Sequence, residues 1–218
     1  IVDCEIFSNR ANSGAGVEMP DEAEATFEDC DIHDNLATGA GGGARVSRRN
    51  KITFRDSRIY NNRATAGSGG GLVLFGEVRL QNSRIYDNAA GAMGGGVLIG
   101  GDNRDNERIL EDSAELVNCI IEGNRAADTG GGLAVTSTGP VRLTDGNIRG
   151  NSATDRGDNI FVTTSQACLT VSGTTVDGGT ERSDGTSAIE CLAGFVSVER
   201  AQGAASNTIT VSPGAGTL

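Results

Sequence analysis

One short pattern recurs along most of the 218-residue chain and restricts the folds open to it. In a clear copy, the small residue Ser57 is followed by Ile59, by Asn62 and then by a glycine triplet at 69–71. We call the small residue the anchor of each copy. Successive anchors are separated by 26, 27, 26, 36, 27 and 27 residues, and they are Cys4, Cys30, Ser57, Ser83, Cys119, Gly146 and Gly173. Such regularity predicts a repeat architecture, which outranks local secondary-structure propensity.

Three kinds of position recur around each anchor. An apolar pair precedes it, as in Val78 and Leu80, and another such pair follows the glycines, as in Leu72 and Leu74. The second kind of position is the anchor itself with the Ile two residues later, which form one more pair. Spacing by two is the period of a β-strand, so each copy predicts three short strands and no helix. The third kind is an asparagine five residues after the anchor, present at Asn9, Asn35, Asn62, Asn88, Asn124 and Asn151.

Three short strands in about 26 residues predict one coil of a parallel β-helix. Each strand pairs with its equivalent one coil along, at about 4.8 Å, so equivalent residues form columns. We expect the asparagines to form a ladder at a bend, bonding the turn backbone and one another. A leucine-rich repeat is the main competing solenoid, but no copy contains its Leu-x-x-Leu-x-Leu pattern. We assign residues 1–173 to the β-helix and residues 174–218 to irregular C-terminal coils or a cap.

Composition narrows the function classes. The net charge is -11, from 29 acidic and 18 basic residues, which argues against nucleic acid as the main partner. No apolar run reaches the roughly 20 residues that span a bilayer. The chain starts inside a repeat without a signal peptide, which predicts a processed chain or a fragment. Its first strand edges would then be covered by upstream sequence or by another subunit.

The repeat also carries a family resemblance. Ile59-Tyr60-Asn61-Asn62, followed by Gly69-Gly70-Gly71-Leu72, resembles the repeats of chlamydial-type polymorphic outer membrane proteins. More broadly, it resembles the right-handed β-helix passengers of bacterial surface and autotransporter proteins. This chain has Ile where that family has Phe, and usually Gly where it has Ala. The resemblance covers about residues 1–173. It implies a right-handed, exported β-helix with a role in adhesion or structural display, and it supplies no catalytic residue.

One outward column is the best candidate for a binding face. It lies three residues after each anchor and begins with Phe7, His33, Tyr60 and Tyr86, before Glu122 and Arg149. The neighbouring column reads Glu5, Asp31, Arg58 and Arg84. Rings beside charged groups suit sugars or a protein partner. Stacked rings can equally serve only to stabilise neighbouring strands.

A catalytic site has weaker support. Pectin lyases and polygalacturonases share the β-helix, and Asp31 with Asp34 or Asp87 would be the carboxylate pair for hydrolysis. With one Lys and one His in the chain, few groups remain for such a site, so we predict no enzyme and no cofactor. A calcium site in the 10-residue excess of the long interval would use Asp102, Asp105 and Glu107, but their spacing is not that of a calcium loop.

The five cysteines fall into the repeat register. Cys4 and Cys30 are stacked neighbours, which suits either a disulfide or two thiols. Cys119 is predicted to be a buried thiol. Cys168 lies five residues before Gly173, at a position predicted to face inward, and we predict a disulfide between it and Cys191.

The sequence therefore predicts a non-catalytic extracellular or cell-surface β-helix, acting as an adhesive stalk or as a fibre subunit that stacks head to tail. Its partners would be further copies of itself or cell-surface glycans and proteins. The alternatives are an enzyme that cleaves polysaccharides and a carbohydrate-binding module that uses the ring column.

Overall fold

Strands one repeat apart pair in parallel, in the register that the repeat predicts. Ile59, for example, lies between Ile32 and Ile85. The computed structural model describes residues 1–20, 22–100, 113–137, 139–162, 168–177, 189–191, 195–199 and 211–213. Within these ranges the regular structure is β-strand stacked into coils, which confirms the predicted all-β parallel solenoid. None of these residues belongs to a helix long and apolar enough to cross a membrane.

Two sheets flank the anchor column. The long sheet precedes the anchors and has five-residue strands with alternate residues buried, as in Val78 and Leu80. Its strands are Glu24–Glu28, Lys51–Arg55, Glu77–Gln81, Ser113–Val117, Pro140–Thr144, Cys168–Ser172 and Phe195–Glu199. The ring sheet follows the anchors, with a buried apolar residue such as Ile59 at the middle of each strand after the first, where Ile6 is half-buried. Its strands are Glu5–Phe7, Asp31–His33, Arg58–Tyr60, Arg84–Tyr86, Ile120–Glu122, Asn147–Arg149 and Thr175–Asp177.

The other two sheets flank the glycines. The short sheet is a fourth strand per coil that we did not predict, because two residues are too few to show a period-2 pattern. Its strands are Arg10–Ala11, Leu36–Ala37, Arg63–Ala64, Ala89–Ala90, Arg125–Ala126 and Ser152–Ala153. The aliphatic sheet follows the glycine triplets. Its strands are Val17–Met19, Ala44–Val46, Leu72–Leu74, Val97–Ile99, Leu133–Val135, Ile160–Val162, Ile189–Cys191 and Val211–Pro213.

The predicted asparagine ladder is present inside the bend between the ring and short sheets. The Asn62 amide donates to the Ile32 carbonyl at 2.8 Å and to Asn88 Oδ1 at 3.0 Å. The backbone N–H of Asn62 donates to the same Asn88 oxygen at 3.0 Å. The pattern repeats from Asn35 to Asn151, and these side chains are buried. Each amide therefore bonds the backbone of the preceding coil and the asparagines on both sides, so its polar atoms are paired, as buried polar groups require.

The third glycine of each triplet makes room for this ladder. A Cβ added to Gly71 would lie 2.6 Å from the carbonyl oxygen of Gly96 and 3.1 Å from Cγ of Asn88. The first glycine has a different role, because Gly69 has a φ of +66°, which L side chains rarely adopt. The triplet is therefore required by packing at one end and by backbone conformation at the other.

The ladder is closed by two residues that replace the last glycines, in Gly157-Asp158-Asn159. Asn159 Oδ1 accepts from the Asn151 amide at 2.8 Å, taking the place of the asparagine that a further coil would supply. Asp158 Oδ1 accepts the backbone N–H of Ala153 at 2.8 Å. Among the residues that the structure describes, the short sheet has its last strand at Ser152–Ala153. These side chains therefore provide the hydrogen bonds that the next rung and strand would otherwise make.

The register of the coil after the Gly146 coil corrects one anchor by a residue. Val141 pairs with Leu169, and Gly146 N–H donates to Thr174 Oγ1, so Thr174 rather than Gly173 lies in the anchor column. The shift places Leu169, Val171 and Val176 in the core, where the predicted register would have placed Cys168 and two threonines. Cys168 pairs with the exposed Pro140, so Leu169 takes the inward position predicted for Cys168.

Candidate functional site

The outer ring column consists of Phe7, His33, Tyr60 and Tyr86, one at the end of each of four successive strands of the ring sheet. Their residues pair in register, and their rings stack almost parallel. Ring centroids are 5.3 Å apart for Phe7 and His33, 4.6 Å for His33 and Tyr60, and 4.9 Å for Tyr60 and Tyr86. The coil spacing brings the rings to stacking distance, which confirms the predicted column.

Stacking limits what this column can present to a ligand. His33 is only 8% exposed, so it is buried rather than exposed as predicted, because rings cover both of its faces. Tyr60 and Tyr86 are partly exposed, while Phe7 is 51% exposed. Burial raises the pKa of both tyrosines, although nearby arginines partly oppose the shift. A ligand on this side meets ring edges and hydroxyls, together with the free outer face of Phe7.

The charged residues beside the rings are paired between coils. Arg58 Nε donates to Asp31 Oδ1 at 2.6 Å, and Arg84 Nε donates to Glu122 Oε1 at 2.7 Å. Arg84 also lies over the Tyr86 ring, 4.4 Å from its centroid. Such pairs hold adjacent strands together and leave less free charge for a ligand.

Glu122 ends the run of rings and joins two arginines. Arg149 Nε donates to Glu122 Oε2 at 2.8 Å, opposite the bond from Arg84. Desolvation alone would raise the pKa of Glu122, but the two arginines more than offset it, so its pKa is lowered. Where the rings stop, an ion-pair bridge continues the column.

His33 has the most elaborate contacts of the column. Its Nδ1 lies 2.7 Å from Asp34 Oδ2, and its Nε2 lies 2.9 Å from Glu5 Oε1 on the preceding coil. Partial burial lowers the pKa of His33, yet the hydrogen bonds and charges of Asp34 and Glu5 outweigh it and raise the pKa above 6.5. The repeat predicts that Glu5, His33 and Asp34 are near each other, but it does not indicate these hydrogen bonds.

The carboxylates considered for catalysis lie on two coils, with Asp31 and Asp34 on one and Asp87 on another. Asp31 is bound to Arg58, and Asp34 is bound to His33. Asp87 lies two coils beyond Asp34, at a turn where its φ is +53°. Each of the first two carboxylates thus has a structural partner, which accounts for its position without a reaction.

An open acidic groove lies at the start of the ring sheet. Its lining residues are Asp3, Cys4, Glu5, Asp29, Asp31, Asp56 and Arg58. Among the residues that the structure describes, no group of three or more His, Cys, Asp or Glu is placed to hold a metal ion. Asp102, Asp105 and Glu107 lie outside the described residues, so the calcium prediction stays a prediction.

Three cysteines are thiols in the structure. Cys4 is exposed, while Cys30 and Cys119 are buried. Cys119 is thus the buried thiol that the sequence predicted, and burial raises its pKa to about 11, which makes the thiolate scarce. The side chains of Cys168 and Cys191 lie outside the described part of the structure, and their disulfide stays a prediction.

Sequence reasoning missed a second apolar cluster, on the outer face of the aliphatic sheet. Val73, Leu98 and Ala134 lie at the middle of their strands, outside the main core, and are nevertheless buried. Phe75 and Met93 pack against them. The signal was available, because continuous apolar runs such as Leu72-Val73-Leu74 are typical of strands buried on both faces.

These features define a β-solenoid with a polar ladder inside and a ring column outside. The family model described as right-handed β-helix region matches residues 1–176. Because the match covers well over half of the chain, the protein belongs to the right-handed β-helix family. Comparisons with curated proteins and with solved structures give no match. The family includes enzymes and non-enzymes, so membership alone does not decide between those functions.

Proposed function

We propose that this protein is a non-catalytic extracellular β-helix that acts as a surface stalk, an adhesive passenger or a fibre-forming subunit. The observation that supports a structural role most directly is the use of the outer ring column. Its ring faces and its flanking charges bind one another from coil to coil. A face that is occupied in this way contributes rigidity along the solenoid axis, which a stalk or fibre requires.

Head-to-tail stacking is supported by the first coil. Within the described part of the chain, strand Glu5–Phe7 has a strand partner on one side, and Ile1, Val2 and Phe7 are 58%, 61% and 51% exposed. An open edge of a parallel sheet, with apolar residues beside it, is suited to receive a further coil. The same geometry would serve a coil from upstream residues or from a second copy.

Electron microscopy of the purified chain at high concentration tests this assembly. We expect filaments of constant width, and we expect Val2→Lys to shorten or abolish them, because a charge at an open edge opposes strand pairing. Arg142→Lys, on an outward position of the long sheet, serves as the matched control. A population of monomers alone would count against the fibre role and leave the stalk role standing.

Polysaccharide cleavage is the enzymatic alternative and calls for a direct assay. Acidic polysaccharides are incubated with the protein, with and without calcium, and product formation is measured for the native chain and for Asp31→Asn and Asp87→Asn. Our proposal predicts no turnover in any of these samples. Turnover that either substitution abolishes would replace the structural role with a catalytic one.

Carbohydrate binding without cleavage is supported by the accessible edges of Tyr60 and Tyr86 beside Arg58 and Arg84. A glycan array measured for the native chain, Tyr60→Ala and Tyr86→Ala tests it. Loss of a signal in both variants would show that the ring edges serve adhesion. An unchanged array would remove the ring column from the binding surface.

A further inference from the structure

The side chain of His33 connects the first coil to the second. We propose that protonated His33 clamps the first coil, residues 1–26, onto the second, and that the clamp opens as the pH rises and the ring loses its proton. Residues 5–11 of the first coil are otherwise mostly exposed. Its contacts in the described chain are to the second coil, on one side.

Hydrogen-bond chemistry identifies the protonated form. Nδ1 faces Asp34 Oδ2 at 2.7 Å, and Nε2 faces Glu5 Oε1 at 2.9 Å. Ionised carboxylates only accept hydrogen bonds, and a neutral imidazole has one N–H, so only the imidazolium donates to both. When the ring loses a proton, one nitrogen presents a lone pair to a carboxylate and that bond is lost. The Glu5 bond is the one that joins the two coils.

The stacked rings support the same form. Phe7 and Tyr60 cover the two faces of His33, with centroids at 5.3 and 4.6 Å. A cation between two aromatic faces is stabilised by both, and more strongly where water is excluded. Holding the ring between these faces also fixes its plane, which keeps both nitrogens directed at their carboxylates.

The charges around His33 are few and mostly favour the cation. Arg58 is the one basic group close by, and its charge is paired with Asp31. On the strand of His33, on the two strands that pair with it, and at Asp34 next to it, the charged and titratable groups are Glu5, Asp31, Asp34, Arg58 and Tyr60. The excess of carboxylates agrees with the raised pKa of His33, in which the bonds to Asp34 and Glu5 outweigh the opposing effect of burial.

The direction of the pH effect follows from linkage. A group whose folded pKa is raised stabilises the folded form fully below its unfolded value, about 6.5 for histidine. That contribution is lost as the pH rises through the folded pKa. The equilibrium constant for closing the contact between the first two coils therefore falls as the pH rises above 6.5. The total decrease is tenfold for each unit that separates the folded and unfolded pKa values.

Because His33 is the only histidine, its titration can be followed by NMR without assignment of other imidazoles. Hydrogen exchange measures the clamp itself. Between the first and second coils, the backbone N–H of Asp31 donates to the Cys4 carbonyl at 2.8 Å. Between the second and third coils, the backbone N–H of Arg58 donates to the Cys30 carbonyl at 2.9 Å. Protection factors already account for the intrinsic pH dependence of exchange, and their ratio at each pH removes changes in stability that both junctions share.

We expect His33 to titrate above 6.5 and the Asp31-to-Arg58 protection ratio to fall through that same pKa. In His33→Phe, which keeps the stacking and removes the charge, the ratio should stay flat. In Glu5→Gln, the pKa of His33 should decrease. The proposal is overturned if His33 titrates at or below 6.5, if the native ratio stays flat, or if the ratio falls equally in His33→Phe.

Discussion

The asparagine ladder and the outer ring column are both stacks of equivalent residues, yet they differ in what they tolerate. The ladder is buried, uses one residue type, and bonds every amide to the coil beside it. The ring column changes from Phe7 to His33 to tyrosine and then to Glu122 without interrupting the strand pairing. Burial accounts for the difference, because an unpaired amide inside the solenoid costs far more than an altered contact on its surface.

The two stacks therefore place different requirements on the side chains that form them. Inside, the side chain must both donate and accept at one fixed spacing, and in this structure asparagine meets that requirement at every rung. On the outside, a position can hold an aromatic ring or a charged side chain, provided that it contacts the equivalent residues on the two neighbouring coils. A function acquired by this protein would be expected to alter the outer column and to leave the ladder intact.

Asn88→Ala should have the largest effect, because it breaks the ladder at its middle. The substitution removes the acceptor of two Asn62 donors and the donors to Ile59 and Asn124. With buried groups left unpaired, the free energy of unfolding should fall by roughly 3 kcal/mol or more. Urea unfolding of the native chain and of the variant measures this difference in the free energy of unfolding.

Asn88→Asp separates shape from hydrogen bonding at the same position. The carboxylate has the size of the amide but cannot donate to Ile59 or Asn124 when ionised. It should therefore be destabilising at neutral pH despite its fit. A variant as stable as the native chain would show that the ladder is a packing feature rather than a hydrogen-bond network.

Asn159→Gly should have the next largest effect, although it restores the glycine found in the earlier coils. Its side chain accepts from the buried Asn151 amide at 2.8 Å and ends the ladder. Losing that acceptor should lower the free energy of unfolding by about 2 kcal/mol. If the substitution stabilises the protein, Asn159 does not close the ladder.

Much of this comparison could be predicted from the sequence, because the repeat fixes which residues become neighbours. The ladder and the ring stack both follow from spacings of about 27 residues. The closure by Asn159 could not be predicted in that way, because its bond to Asn151 lies within a coil, eight residues apart. The bond depends on the side-chain conformation of Asn159, which the repeat spacing does not specify.

Two other differences have local physical causes. The anchor at Gly173 rested on the 27-residue interval, whereas the apolar residues Leu169 and Val171 determine the register and move the anchor to Thr174. The bonds of His33 to Glu5 and Asp34 depend on side-chain rotamers, which spacing alone does not specify. Columns are thus predictable from a repeat, and contacts between unlike side chains are not.

Tyr60→Ala tests the outer column and should cost less than either ladder substitution. It removes stacking on His33 and on Tyr86, at 4.6 and 4.9 Å, from a partly exposed strand. We expect a loss of roughly 1.5 kcal/mol in the free energy of unfolding. Tyr60→Phe keeps both stacks and should be close to neutral. An effect of Tyr60→Ala equal to that of Asn88→Ala would remove the distinction between the two columns.

Glu122→Gln should have the smallest effect and a defined pH dependence. Because Arg84 and Arg149 lower the pKa of Glu122, its carboxylate stabilises the folded form above its unfolded pKa, about 4.3. That contribution, less than about 1 kcal/mol for pairs with half-exposed arginines, is lost as the pH falls through the lowered folded pKa. Urea unfolding is measured from pH 7 to pH 2. The free energy of unfolding of the native chain should exceed that of the variant at neutral pH, and this difference should disappear in acid. Glu115→Gln, which removes an ion pair with Arg79 alone, is the matched control and should show a smaller difference at neutral pH. An equal difference for both variants would mean that the two-arginine bridge adds nothing beyond an ordinary surface pair.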